Sequence, residues 1–215
     1  MTPIRLTYSP YALQNQPAAA LRRLIKRVLD VAFSIAGIAI LSPIFVCAAI
    51  AIKLDSPGAT IFRQRRRGLH GKEFVIFKFR SMTVLEDGPV IKQARRDDQR
   101  VTRVGKFLRR TSIDELPQLV NVIKGDMSLV GPRPHALAHD DACMVQIEDY
   151  TKRYLVKPGI TGWAQVNGLR GETPSIEQMA KRIKYDLWYA RHWSLAMDLA
   201  ILFRTAVELV SDKAY

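Results

Sequence analysis

Asp114 and Glu115 are adjacent carboxylates that directly follow three cations, Lys106, Arg109 and Arg110. An aspartate can act as a nucleophile and hold a phosphoryl group as a covalent ester. A second carboxylate beside it can help hold Mg²⁺, which takes hard oxygen ligands and neutralises phosphate charge. The competing reading needs no chemistry. Acidic residues stabilise a helix N-terminus through its dipole, and Arg110 can pair with Asp114. Arg133 is a second candidate. It stands between Pro132 and Pro134, whose fixed backbone angles present its side chain at little entropic cost. The alternative is an exposed arginine in a turn. Lys78 and Arg80 are a third, alternating with Phe77 and Phe79 so that both cations share one face of a strand. That face could line a site or could simply be solvated. His135 and His139 are four apart, but Pro134 precedes them and no Glu follows His135, so two solvated loop histidines are expected. Common nucleotide, zinc and serine-hydrolase motifs do not occur in the sequence.

These residues need elements to hold them. Thr60–Arg66 and Glu73–Arg80 read as a β-hairpin around Gly68-Leu69-His70-Gly71. Val104–Arg110 reads as a helix. Ser112 and Glu115 fit a capping box, which would start a helix at Asp114-Glu115 with Pro117 near its beginning. Gly125 would end it. Gly131-Pro132-Arg133-Pro134 reads as extended, 157–171 as a turn-rich loop, and 85–100 as a mobile loop. A long helical region from Pro174-Ser175 to about Asp212, broken near His192-Trp193, would be packed or interfacial.

Charge and hydropathy say where this assembly sits. The chain has 215 residues, with 33 Lys plus Arg against 20 Asp plus Glu. Between Lys53 and Arg110 lie sixteen of the cations and six of the acids. The basic run Arg63–Arg67 suits lipid headgroups, nucleic acid or substrate phosphates. Immediately before it, Val31–Ile52 is 22 residues without a charge, long enough to cross a bilayer. It begins too late and runs too long for a cleavable signal. Both flanks are basic, and a spanning helix would put only one of them on the cytoplasmic side. Proline at Ser42-Pro43 interrupts the run at its middle, and the Ser42 hydroxyl can bond a backbone group the proline frees. A re-entrant helical hairpin with both ends cytoplasmic therefore fits best. Asp30 can pair with Lys26 or Arg27 at the entry. Two cysteines, Cys47 and Cys143, make no disulfide framework.

The expected architecture is mainly α with a small β-hairpin. It comprises a tail over 1–20, a re-entrant membrane helix over 21–55, and a cytoplasmic catalytic domain over 56–215 with interfacial amphipathic helices.

The ordered stretches KRVLD, the Ser42-Pro43 break, IFRQRRRGLHGKEFVIFKFRSM, RVGKFLRRTSIDELPQLVNVIKGDMSLVGPRP, YLVKPGITGWAQVNG and YDLWYARHWSLAMDLAILFRT resemble the bacterial sugar transferase family, the monotopic phosphoglycosyl transferases. Larger members carry further N-terminal helices and another domain; this chain resembles the shorter, exopolysaccharide-initiating type. The resemblance implies transfer of a sugar-1-phosphate from a UDP-sugar to polyprenyl phosphate at the cytoplasmic face of the bacterial inner membrane, with UMP released. It implies Asp114 as nucleophile, Glu115 as a helper in placing Mg²⁺, and Arg109 as a phosphate ligand. Arg133, with Pro132 and Pro134, would lie near the nucleotide, and Lys78 and Arg80 would be further basic binding residues. His192 stands where the family usually has Asn. Galactose and glucose both fit as the sugar, and a homodimer is compatible. Anionic phospholipids are expected as contacts. Nucleic acid is disfavoured because the basic segment adjoins a membrane run. A non-enzymatic adaptor that recruits anionic lipid or RNA is the rival class; it would have no need of Asp114-Glu115 with Arg109 and Pro132-Arg133-Pro134.

Overall fold

The structure, a computed structural model, describes residues 17–83 and 98–210. Most of the expected tail and of the 85–100 loop lie outside these residues. The architecture is mainly helical, with two small two-stranded sheets.

Helix α1, Pro17–Asp55, is 39 residues long and runs unbroken through Pro43. Proline lacks the N–H that would bond the carbonyl of Ala39 one turn back. The Ser42 hydroxyl donates to that same carbonyl at 2.9 Å, so the lost bond is replaced within the helix. The helix is continuous across Ser42-Pro43, with no turn separating two helices there. The Ala20–Asp55 stretch is long and apolar enough to cross a membrane, and only 11% of its most apolar window is buried. Phe33, Ile35, Ile40, Val46, Ile50 and Leu54 all face outward.

Both ends of α1 are tied to the folded domain. Near the start, Lys26 pairs with Asp198 at 2.6 Å and donates to Val130 O at 3.3 Å. Arg27 donates to the carbonyls of Val122 and Ile123, and Asp30 accepts from Leu129 N at 3.2 Å. The expected Lys26–Asp30 pair forms loosely, at 4.0 Å. Near the end, Ala48 and Ile52 pack on Phe79 and Leu108. Asp55 accepts from Val104 N at 3.1 Å.

The hairpin forms as expected, from β1 (Ile61–Arg67) and β2 (Glu73–Phe79), antiparallel with Gln64 opposite Ile76. His70 takes a left-handed conformation, φ 56°, in its turn. One face of the hairpin, with Gln64 and Ile76, is buried; Arg63, Arg65 and Val75 on the other are exposed. Helix α2 is Arg103–Arg110, capped by the Thr102 hydroxyl. Helix α3 is Gln118–Lys124, ended by Gly125 at φ 95°, where a side chain would be strained.

A second sheet was not foreseen. Strands β3 (Ser128–Val130) and β4 (Gly159–Thr161) pair in parallel. Each is three residues long, too short to show an alternating pattern. The pairing depends on glycine, since a Cβ on Gly131 or Gly159 would collide with the opposing backbone. It brings the Gly-Pro-Arg-Pro segment against the Lys157-Pro158-Gly159 loop. Helix α4 is Leu137–Gln146. Helices α5 (Ile176–His192) and α6 (Leu195–Val210) meet at the expected break. Helix α6 leaves Leu199, Phe203 and Val207 exposed at helical spacing, while Ile201 is fully buried.

Candidate functional site

The chain approaches Asp114 through a strained turn. Ser112 has φ 58°, a left-handed conformation unusual for a residue with a side chain. Ile113–Glu115 then form a single 3-10 turn, and α3 begins only after Pro117. The capping box does not form, because both of its side chains have charged partners instead. The Ser112 hydroxyl accepts from Arg170 at 2.7 Å. Glu115 is drawn to Lys78 and Arg133.

That Glu115 clamp is the centre of the site. Lys78 Nζ lies 2.7 Å from Oε1. Arg133 closes on the carboxylate with both terminal nitrogens, Nη2 to Oε1 at 2.6 Å and Nη1 to Oε2 at 3.1 Å. Such a fork is the strong, directional form of the pair. Arg170 adds a third cation 3.8 Å from Oε2. Gln165 accepts from Arg133 Nη1 at 3.3 Å and is itself held by donating to Ile160 O.

Asp114 is as deeply placed, 9% exposed against 6% for Glu115, yet among the described residues its carboxylate accepts no hydrogen bond and makes no ion pair. The two acids are driven apart in acidity. Burial pushes Asp114 up to about 6; the Glu115 charge adds to this, and Lys78, Arg109 and Arg133 oppose it. Burial works on Glu115 too, but Arg133 and Lys78 overrule it and hold Glu115 well below the usual glutamate range. Burial also lowers Lys78, against the pull of Glu115. The result is one permanently charged, fully engaged carboxylate beside one uncommitted carboxylate that ionises near neutrality.

The expected residues divide clearly. Asp114, Glu115, Lys78 and Arg133 come together, and Arg109, half-buried at the end of α2, acts electrostatically on Asp114. Pro132 and Pro134 are buried and carry Arg133 between them. Arg80 lies elsewhere. It is 4% exposed and its guanidinium closes the end of α1, donating to Ser56 O at 2.6 Å, Ile52 O at 3.3 Å, the Ser56 hydroxyl and Pro57 O. The backbone ladder still reaches this residue, with Arg80 N–H donating to Thr60 O at 2.8 Å, but the carbonyls at the end of α1 draw its guanidinium away from Lys78. His135 is not solvated. It is buried against Tyr150 and Arg153, and that burial with the Arg153 charge keeps it neutral, far below the usual histidine value. His192 is exposed and stacks on Trp188, ring centroids 4.4 Å apart. Arg170 and Gln165 were missed as individuals. Their only sequence signal is membership of the glycine-rich 157–171 loop.

Mg²⁺ suits this donor set in a restricted way. Among the described residues no group of three or more His, Cys, Asp and Glu side chains forms a cage. Asp114 offers an open carboxylate, and Glu115 offers one by exchanging a cation. Mg²⁺ commonly takes one or two carboxylates and completes its shell with water and substrate phosphates.

A domain fastened to a mostly exposed apolar helix long enough to cross a membrane, with a buried acid pair ringed by cations, has the features of a membrane-associated protein. The chain belongs to the bacterial sugar transferase family, whose model matches residues 21–212. It is 50% identical over 202 residues to the UDP-glucose:undecaprenyl-phosphate glucose-1-phosphate transferase of Escherichia coli K12, covering 94% of this chain and 44% of that protein. The Caulobacter vibrioides protein of the same name is 52% identical, covering 99% of this chain and 82% of the relative. The exopolysaccharide production protein PSS of Rhizobium leguminosarum is 43% identical, covering 89% and 98%. The chain thus spans less than half of the Escherichia coli relative and most of the other two.

Proposed function

We propose that this chain transfers a sugar-1-phosphate from a UDP-sugar to undecaprenyl phosphate at a membrane surface, with Asp114 as nucleophile. The observation that carries the reading is the uncommitted Asp114 carboxylate beside the clamped Glu115. A carboxylate oxygen of Asp114 attacks the phosphorus that bears the sugar. The bond from that phosphorus to the bridging oxygen breaks, and UMP leaves with the electron pair. An oxygen of the lipid phosphate then attacks the aspartyl phosphosugar, which frees Asp114 and leaves a diphosphate-linked lipid sugar. Two easier steps replace one hard displacement between two anions.

Arg109, Lys78, Arg133 and Arg170 supply the positive field for charge on the transferring phosphoryl group. Glu115 keeps Lys78 and Arg133 aligned and holds Asp114 at an acidity suited to neutral pH. Mg²⁺, held by Asp114, the neighbouring Glu115 and the donor's diphosphate, would neutralise phosphate charge. UDP-glucose is the donor to test first, since the Escherichia coli and Caulobacter relatives are named for it. The product would be the first lipid-linked intermediate of an exopolysaccharide, in keeping with the name of the Rhizobium relative.

The anchors on α1 support a membrane arrangement for this reading. Asp30 and Ile52 are 22 residues apart, about 33 Å along a helix and enough to cross a bilayer. Both ends nevertheless bond one folded domain. A re-entrant helix that bends at Pro43 without a break would keep both ends cytoplasmic, with α6 lying in the interface on Leu199, Phe203 and Val207. Anionic headgroups would meet the exposed Arg63 and Arg65.

The test is Asp114→Asn with labelled UDP-glucose and undecaprenyl phosphate in membranes. The variant should form no lipid product; undiminished product would remove Asp114 from the role. Cysteine labels on the two flanks of α1 should both react from the cytoplasmic side, and labelling from opposite sides would mean a spanning helix.

A further inference from the structure

Behind Arg133 lies a buried polar cluster that the proposed chemistry does not use. Arg153 is at its centre, 2% exposed. Its Nη2 donates to Asp186 at 3.0 Å and to the backbone carbonyl of Arg133 at 2.5 Å. Its Nη1 donates to Tyr150 OH at 3.1 Å and lies 2.9 Å from His135 Nδ1. Tyr150 OH in turn donates to Asp140, which is 3.6 Å from Arg153 Nη1. Asp140, Asp186, His135 and Tyr150 are all buried.

Such a cluster is hard to justify as a source of stability. Buried ion pairs are often no better than apolar residues of the same volume, because removing the charges from water offsets their attraction. The geometry shows what the cluster holds instead. Pro132 and Pro134 have no N–H, so three carbonyls and the single Arg133 N–H are all the backbone polar groups by which this segment can be held. All three carbonyls are bonded. Pro132 O accepts from Gly159 N at 3.0 Å, Arg133 O from Arg153, and Pro134 O from Arg66 Nη1 at 3.3 Å. The middle bond is the one made by a side chain that is itself tied on both sides, to Asp186 and to the Tyr150–Asp140 pair.

We infer that Arg153 is a positioning residue, held by Asp186 and Asp140, which fixes the backbone of Arg133 so that its guanidinium meets Glu115 and the transferring phosphoryl group. This rests on the transferase reading given above. Arg153 touches no reacting atom. Its effect passes through Arg133, and that route gives the inference a signature distinct from a merely structural role.

The experiment is a double-substitution cycle of Arg153→Lys and Arg133→Lys on the full chain in nanodiscs. Lysine at 153 keeps the charge but cannot bond Asp186, Tyr150 and the Arg133 carbonyl together. Arg153→Lys should lower kcat by about 10- to 100-fold, the scale of a misplaced binding group, with KM little changed. The pair should be no worse than Arg133→Lys alone, because both remove the same placement. Fully additive losses would overturn the inference. Asp186→Asn, which keeps the side-chain volume, should give a smaller loss with the same non-additivity and serves if Arg153→Lys does not fold. A second readout needs no activity. Amide hydrogen exchange over 131–137 should quicken in Arg153→Lys while exchange in α2 stays as in the wild type. Unchanged exchange in that segment would also overturn the inference. A wild type that transfers nothing from any UDP-sugar would count against the transferase reading, and the exchange result would still decide the role of Arg153.

Discussion

Two buried charge clusters lie on either side of Arg133, and they are finished differently. In the rear cluster Arg153 is bonded on both sides, to Asp186 and to the Tyr150–Asp140 pair, and it holds the Arg133 carbonyl. In the front cluster Glu115 is bonded on both oxygens, whereas Asp114, one residue earlier, has a carboxylate with no hydrogen bond among the described residues. The rear cluster spends both terminal nitrogens of its central arginine on fixed partners, although Arg153 Nε, His135 Nε2 and Asp140 Oδ2 are buried without one among the described residues. A cluster that performs chemistry leaves one group unspent. Burial without a partner is costly for a carboxylate, and the rise of Asp114 to about 6 expresses that cost.

The contrast is sharpest between the two adjacent acids. Asp114→Asn should lower transfer by roughly 10³-fold or more, as loss of a covalent nucleophile does. The same change should raise the melting temperature at pH 8. The folded-state pKa of Asp114 is raised, so the stability linked to its proton is present at low pH and is lost as pH climbs through about 6. Removing the carboxylate removes that loss. Glu115→Gln should do the reverse, lowering stability by about 3 kcal/mol because the half-buried Lys78 and Arg133 lose the buried carboxylate that pairs with them. Thermal melts of the two variants side by side should move in opposite directions; movement in the same direction would contradict the different roles of the two acids.

A weaker effect follows from titration. The kcat/KM of the wild type should fall below pH 6 with an apparent pKa near that of Asp114, since only the ionised carboxylate attacks. A flat profile between pH 5 and 8 would contradict the assignment. The smallest effect belongs to the membrane helix. Ser42→Ala removes only the substitute bond to Ala39 O and should cost about 0.6 kcal/mol of stability in lipid, read by denaturant titration in mixed micelles.

Much of this was legible in the sequence. Ser42 completing the bond that Pro43 cannot make, the hairpin and its turn, the end of α3 at Gly125 and the break before Trp193 all follow from local backbone chemistry. The misreadings around the site share one cause. Ser112 and Glu115 match a capping box in spacing, but Arg170 and Arg133, far along the chain, compete for the same oxygens and win. Arg80 obeys strand parity and its N–H still bonds Thr60 O, yet the nearby end of α1 captures its guanidinium. His135 looks solvated beside Pro134, and only the fold brings Tyr150 and Arg153 around it. Local rules hold where the partners are local, and the charged residues of this chain mostly find distant ones.

The central claim is that Asp114 carries the phosphosugar. The direct measurement is to incubate the protein with UDP-glucose labelled in the glucose, without lipid acceptor, and to locate the label by mass spectrometry after rapid quenching. A hexose-phosphate adduct on the peptide containing Asp114, lost on adding undecaprenyl phosphate and absent in Asp114→Asn, is the predicted result. Lipid product formed by the wild type without any adduct on that peptide, or by Asp114→Asn at the wild-type rate, would contradict it.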